Sequence, residues 1–197
     1  MALVTTGFSK PYVALYSASG TNVTYSSGME LGRGVEVSIE AEAADDNNFY
    51  ANNEIAETES GRFKKGSATI TVDGLENAAA KLILGLPAAT EVGGVSMQGY
   101  GDSAKPPHIG YGCVRRTMSN GVTKYWPLIL PKVKFAIPAD NAKTQEEDID
   151  WQTQELKATI FRDDTEARNW KLISEAGLET EAAAYAVVIK ILGRGDA

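Results

Sequence analysis

Period-two alternation dominates the hydrophobic pattern of this chain. Over residues 35–43, Val35, Val37, Ile39, Ala41 and Ala43 interleave with Glu36, Ser38, Glu40 and Glu42. One apolar and one acidic face at that period predict a strand buried on one side and wet on the other. Ala68, Ile70 and Val72 alternate with Ser67, Thr69, Thr71 and Asp73, which predicts another strand. Residues 11–17 read as an aromatic strand that turns at 18–22 and returns through 22–25. Residues 109–117 and 122–130 flank Asn120-Gly121, a dipeptide suited to the positive φ angles of a tight hairpin. Pro127 and Pro131 predict an unpaired edge or a bulge in the second arm. Residues 132–137 alternate again, and 154–161 predict a last long strand.

Two stretches change period. Leu75, Ala79, Leu82, Ile83 and Leu86 share a helical face; Asp73 and Glu76 precede it at capping-box spacing, and Gly85 and Pro87 stop it. Residues 180–192 predict a C-terminal helix capped by Thr180, with Ala184, Val187, Val188 and Ile191 on one face. Residues 45–66 lack any period: Asp45-Asp-Asn-Asn48 is turn chemistry, and Phe49, Tyr50 and Ile55 stand isolated among polar neighbours. That segment is expected to be a long irregular loop. Residues 92–101 read as a Gly-rich loop and 139–150 as an acidic turn region. Hairpin turns in place of βαβ crossovers predict a mainly β fold: an antiparallel β-sandwich or barrel with a flanking α-helix, as one domain over residues 1–197.

Composition narrows the function. No apolar run approaches the ~20 residues that cross a bilayer, and Lys190 interrupts the longest candidate, residues 182–192. The first 20 residues show no secretory pattern, so no membrane and a reducing compartment are expected. A lone Cys113 forms no internal disulfide, and a lone His108 removes multi-His metal sites. A net charge of −7 argues against general nucleic-acid binding, which uses basic surfaces.

The candidate motifs are short. Gly99-Tyr-Gly101 and Gly110-Tyr-Gly112 lack the third glycine of a dinucleotide fingerprint and read as glycines in turns and bulges. His108 follows two prolines with no nucleophile elbow nearby, and reads as a loop residue. Cys113 reads as a small buried residue of a strand. Asp45-Asp-Asn-Asn48 lacks EF-hand spacing and reads as a solvated turn. The glycosylation sequon Asn22-Val-Thr24 has nothing to act on it without a signal peptide, and Arg194-Gly-Asp196 reads as a chance match. No catalytic, cofactor or metal residue is assigned, and the chain is read as non-enzymatic.

Charge is segregated along the sequence. Residues 30–59 hold nine acidic residues against Arg33 alone. No acidic residue lies between Asp102 and Asp140, a stretch holding Lys105, Arg115, Arg116, Lys124, Lys132 and Lys134. Segregation of this kind is either a solvated accident or a head-to-tail contact between copies, which propagates into rings or filaments.

An ordered set of segments carries a resemblance: Lys10-Pro-Tyr-Val-Ala14, Gly32-Arg-Gly34, Asn47-Asn-Phe-Tyr-Ala51, Ala68-Thr-Ile-Thr-Val-Asp-Gly-Leu75, Ser119-Asn-Gly-Val-Thr-Lys-Tyr125 and Leu130-Pro-Lys-Val-Lys-Phe135. With Trp151-Gln-Thr-Gln-Glu-Leu156 and the helix start at Thr180-Glu181, the set resembles the major tail protein of long-tailed, non-contractile phages of Gram-positive bacteria. Order and spacing carry it, not a single motif. The resemblance implies a virion protein, assembled in the host cytoplasm, whose hexameric rings stack into a tail tube around a tape measure protein. Tail-terminator or tip proteins would meet its ends, and DNA would pass through the lumen without specific binding. It also implies a β-sandwich with a long loop and terminal arms that bridge neighbouring subunits, and no cofactor.

On that expectation Glu36, Glu40 and Glu42 are candidate lumen residues. Asp45, Asp46, Phe49, Tyr50, Arg115, Arg116, Lys132 and Lys134 are candidate subunit-interface residues. The role of residues 185–197 stays open. The alternative is a β-sandwich binding module of a tail tip or baseplate that recognises carbohydrate or a host surface. A sugar site needs exposed aromatics on one face, whereas Trp126, Trp151 and Trp170 lie among strand-like apolar neighbours.

Overall fold

A computed structural model describes residues 4–59, 62–140 and 152–193. The strands and helices in chain order are β1 (Val4–Ser19), β2 (Asn22–Glu30), β3 (Gly34–Ala43), β4 (Asn47–Ala51), β5 (Glu54–Glu59), β6 (Phe63–Val72), α1 (Asn77–Leu84), β7 (Thr90–Val92), β8 (Val95–Met97), β9 (Ile109–Ser119), β10 (Val122–Phe135), β11 (Gln154–Phe161), β12 (Leu172–Ile173) and α2 (Glu181–Leu192). The fold is mainly β and antiparallel. One sheet runs β2-β1-β9-β10-β11-β6-β3, with β12 added to β10. It curls until β3 returns to β1, where Phe8 packs over Gly34. No ladder joins β1 to β3, so the barrel is left open there.

The two halves of the sheet differ in burial. Strand β11 turns Leu156, Ala158 and Ile160 inward, and β6 does the same with Ala68, Ile70 and Val72. Their other faces meet solvent. Strands β1, β9 and β10 are buried on both sides. Val13, Tyr111, Cys113, Leu128 and Leu130 join the inner core, which α1 extends through Ala79, Ile83 and Leu84. Tyr12, Ala14, Tyr16, Val114 and Ile129 form an outer core with Ala184, Val188 and Leu192 of α2. Gly110 and Gly112 make room for that helix: a Cβ at Gly112 would lie 2.5 Å from Val188 Cγ1. These glycines therefore serve strand–helix packing and not turns or bulges.

Several local signals hold. Asn120 (φ 50°) and Gly121 (φ 77°) form the β9–β10 turn. Thr180 accepts from the Ala183 amide at 3.2 Å and caps α2. The pairing register of β9 and β10 shifts between Leu130 and Val133, so a bulge forms at Pro131 as expected. Because side chains alternate, the extra residue reverses the faces beyond it. Val133 and Phe135 consequently enter the inner core, while Lys132 and Lys134 turn outward. Strand β10 runs unbroken through residues 132–135, which the sequence reading treats as a separate strand.

Other expectations are corrected. Most of the expected loop over 45–66 is a hairpin, β4 on β5, turning at Asn52 (φ 53°) and Asn53 (φ 65°). Two positive φ angles define the hairpin-type turn that Asn tolerates, and the ladder satisfies backbone groups that an irregular loop would leave to water. The Gly-rich loop contains a second small hairpin, β7 on β8, turning at Gly93-Gly94. Asp73 does not cap α1. Its carboxylate accepts from the Arg33 amide at 2.8 Å and from Arg33 Nε at 2.5 Å, and the helix begins after Glu76, whose side chain makes no cap bond. A register shift between Gly34 and Glu36 turns Val35 out to 55% exposure, and Ala41 and Ala43 are exposed as well. Only Val37 and Ile39 of the alternating apolar set are half-buried. The acidic turn region 141–150, Trp151 and Arg194-Gly-Asp196 lie outside the described residues.

Candidate functional site

The β4–β5 arm builds an exposed apolar surface. Phe49 is 65% exposed, Tyr50 62% and Ile55 54%. The hairpin pairs only with itself, so both faces of β4 stay open and the successive side chains of Phe49 and Tyr50 both reach solvent. Asp45 and Asp46 lie exposed at the base of the arm, Glu54 lies at its tip and Glu57 opposite Phe49. An apolar cluster rimmed by carboxylates is the ordinary make-up of a protein-contact surface. The β7–β8 hairpin, which the sequence reading missed, exposes Val92, Val95 and Met97.

Glu36, Glu40 and Glu42 share the outer face of β3, an edge strand, and all three are exposed. Their neighbours dilute the acidity. Ser67, Thr69 and Thr71 lie alongside on β6, Glu42 pairs with Lys65 at 3.4 Å, and on β11 Glu155 pairs with Lys157 at 3.2 Å. Glu36 also lines a groove of about 420 Å³ at the open β1–β3 seam, together with Phe8, Val37, Cys113 and Arg115. Arg116, one residue on, projects to the opposite face of β9. The two arginines therefore belong to different surfaces.

The basic segment is partly neutralised by partners distant in sequence. Lys124 pairs with Glu179. Lys132 Nζ lies 2.6 Å from Asp164 Oδ2 and 5.1 Å from the centre of the Tyr16 ring, with its side chain only 15% exposed. Lys132 is thus engaged within its own subunit, whereas Lys134 is exposed. The same Asp164 oxygen accepts from Tyr16 Oη at 2.7 Å, and the Asp164 amide donates back to Tyr16 Oη at 2.9 Å. Hydrogen bonds from Lys132 and then Tyr16 hold the Asp164 carboxyl below its ordinary pKa. His108 packs edge-on against Tyr16 and Phe161. Partial burial, then the charges of Lys132 and Lys134, hold its imidazole below its ordinary pKa. No sequence pattern announced this network, because its members come from four separate segments.

The chemistry of the remaining candidates is quiet. Cys113 is buried beside Tyr111, and burial pushes its thiol up to about 11, away from the reactive thiolate. Among the described residues no three His, Cys, Asp or Glu side chains converge as metal ligands. No helix among them is long and apolar enough to cross a membrane. Trp126 Nε1 donates to the buried Thr117 hydroxyl at 2.8 Å, and Trp170 stacks on Phe63 at 5.0 Å. Compared with known proteins, the chain matches no family model and no curated protein sequence.

Proposed function

We propose that this protein is the repeating subunit of a phage tail tube, a non-catalytic virion protein that assembles into stacked, hexameric rings through which DNA leaves the particle. The observation that carries this reading is the β4–β5 arm, a separate hairpin that exposes Phe49, Tyr50 and Ile55 among polar neighbours. An isolated hairpin of this size is marginal in water, and an apolar tip is a hazard for a free monomer. Both costs are offset when the arm packs on a neighbouring copy. Strands β2 and β3 end the main sheet, and their open edges suit a subunit that is completed by assembly. The segments resembling tail tube proteins supply the particular assembly. Contacts to a tape measure protein and to tail-terminator or tip proteins follow from that resemblance alone.

A carbohydrate-binding tip module is less well supported, since Trp126 and Trp170 are occupied within the chain. Negative-stain microscopy of the purified protein tests the proposal: hollow tubes or six-fold rings are expected. The F49S/Y50S variant is expected to abolish them while its thermal melt stays within about 1 kcal/mol of the parent, because both side chains are already exposed. A parent that remains monomeric at high concentration, or a variant that assembles normally, counts against this assembly route.

A further inference from the structure

The network around Asp164 opens onto a cleft of about 380 Å³ whose lining is basic in an acidic protein. Lys64 and Lys65 reach it from the start of β6, Arg162 from beyond the end of β11, Lys132 from β10 and Arg168 from the following loop. Asp164 is the single carboxylate in the lining, and Lys132 and Tyr16 already occupy it. Lys65 pairs with Glu42, and Arg162 donates to the Phe63 carbonyl while its guanidinium lies over the Phe63 ring. Lys64 and Arg168 have no ion-pair partner among the described residues. The structure assigns this cleft, we infer, as a binding site for a phosphate dianion, either free or as the monoester of a small molecule.

The loop that carries Arg168 is shaped for the purpose. The Asp163 amide donates to the Asn169 carbonyl at 2.9 Å, and the Thr165 hydroxyl donates to Asp163 Oδ1 at 2.8 Å. The Arg168 amide donates to the Thr165 carbonyl at 3.1 Å, which holds Arg168 at φ 49°. That left-handed conformation suits glycine far better than arginine, so the guanidinium is kept on the rim against the backbone preference. The unpaired guanidinium of Arg168 and ammonium of Lys64, with the partnered Lys65, Lys132 and Arg162 in the same lining, match the oxygens of a phosphate group. The volume exceeds that of a bare ion, and the Phe161 and Phe63 rings lining it leave room for an organic substituent.

His108 lies in the same lining and is the sole histidine, so its imidazole signals in proton NMR report on the cleft without assignment. The groups that face it are Tyr16 of β1, Lys132 and Lys134 of β10, Phe161 of β11 and Asp164. The full chain is titrated, at constant ionic strength, with inorganic phosphate and separately with ribose 5-phosphate. A saturable shift of the His108 signals with a dissociation constant of about 1 mM or tighter is expected, together with a rise in the His108 pKa as the dianion offsets the two lysines. Saturation by phosphate itself points to the free ion, and saturation by the ester alone to the monoester. The Arg168→Gly variant removes the guanidinium where glycine is the favoured residue, so it folds at least as well, and it is expected to bind about tenfold more weakly. Lys64→Gln is expected to weaken binding in the same direction. No saturable shift with either ligand, or unchanged affinity in both variants, overturns the assignment. So does saturation by a peptide of residues 45–57 where neither phosphate ligand binds, which would make the cleft a dock for the acidic arm of a second copy.

Discussion

At the scale of single residues, charge is used locally to tie distant segments together. Asp73 ties the loop before β3 to the end of β6 through Arg33, and Asp164 ties Tyr16 to Lys132. Both carboxyl groups are held below their ordinary pKa, by Arg33 in the first case and by Lys132 in the second. A depressed folded-state pKa contributes stability that is complete above the unfolded value of about 3.9, and is lost as pH falls through the folded value. Melting temperature is therefore expected to drop below about pH 4, and Asp164→Asn to flatten part of that slope. The two groups are well exposed, so solvent screening keeps each contribution small. A melting profile of Asp164→Asn that parallels the parent from pH 5 to pH 2 would remove Asp164 from the account, those bounds being roughly the window in which carboxylates titrate.

At the scale of elements, the helices show how differently two candidate capping side chains behave. Thr180 caps α2 as its side-chain chemistry dictates. Asp73 has the same ability, yet Arg33 takes its carboxylate and α1 starts after an uncapped Glu76. Replacing Glu76 with Ser installs the missing acceptor and is expected to stabilise the protein by about 1 kcal/mol in thermal or urea melts. The strand–helix contact offers the opposite test. Gly112 lies under Val188, so Gly112→Val overpacks the outer core and is expected to cost about 1–3 kcal/mol in urea unfolding. A neutral result would show that α2 shifts freely over β9.

At the scale of the whole molecule, folding redistributes the charge that is segregated along the sequence. Lys65 meets Glu42, Lys124 meets Glu179 and Lys132 meets Asp164, so the acidic and basic blocks are partly paired inside one subunit. The face of β3 remains exposed, and among the described residues Glu36 and Glu40 have no ion-pair partner. If six copies form a ring as proposed, a chain with net charge −7 cannot hide all its carboxylates, and a bore lined by some of them would not grip phosphates as lysines do. Under the tube proposal, E36K/E40K/E42K is expected to leave tubes that assemble but eject DNA slowly, measured by release from reconstituted particles. Failure to assemble would place this face at a subunit contact, and normal ejection would show that its charge is immaterial.

What the sequence determined by itself is the set of features that neighbouring residues decide. The alternation in β6 and β11, the Asn120-Gly121 turn, the bulge at Pro131 and the Thr180 cap all follow from sterics and hydrogen bonds within a few residues. The mainly β, antiparallel class followed from the same signals. Tertiary structure decided the rest. Irregular polarity concealed the β4–β5 arm, because its strands pair across an Asn-Asn turn and bury no face that would impose a period. The bulge was legible, but which core received Val133 and Phe135 depended on the curl of the sheet. Arg115 and Arg116 read as one patch in sequence, and strand alternation parts them. The cleft at Asp164 was invisible, since β10, β6, β11 and the loop after it meet only once the sheet is paired. A linear pattern records contacts a few residues long, whereas charge pairing and concavity depend on which distant strands become neighbours.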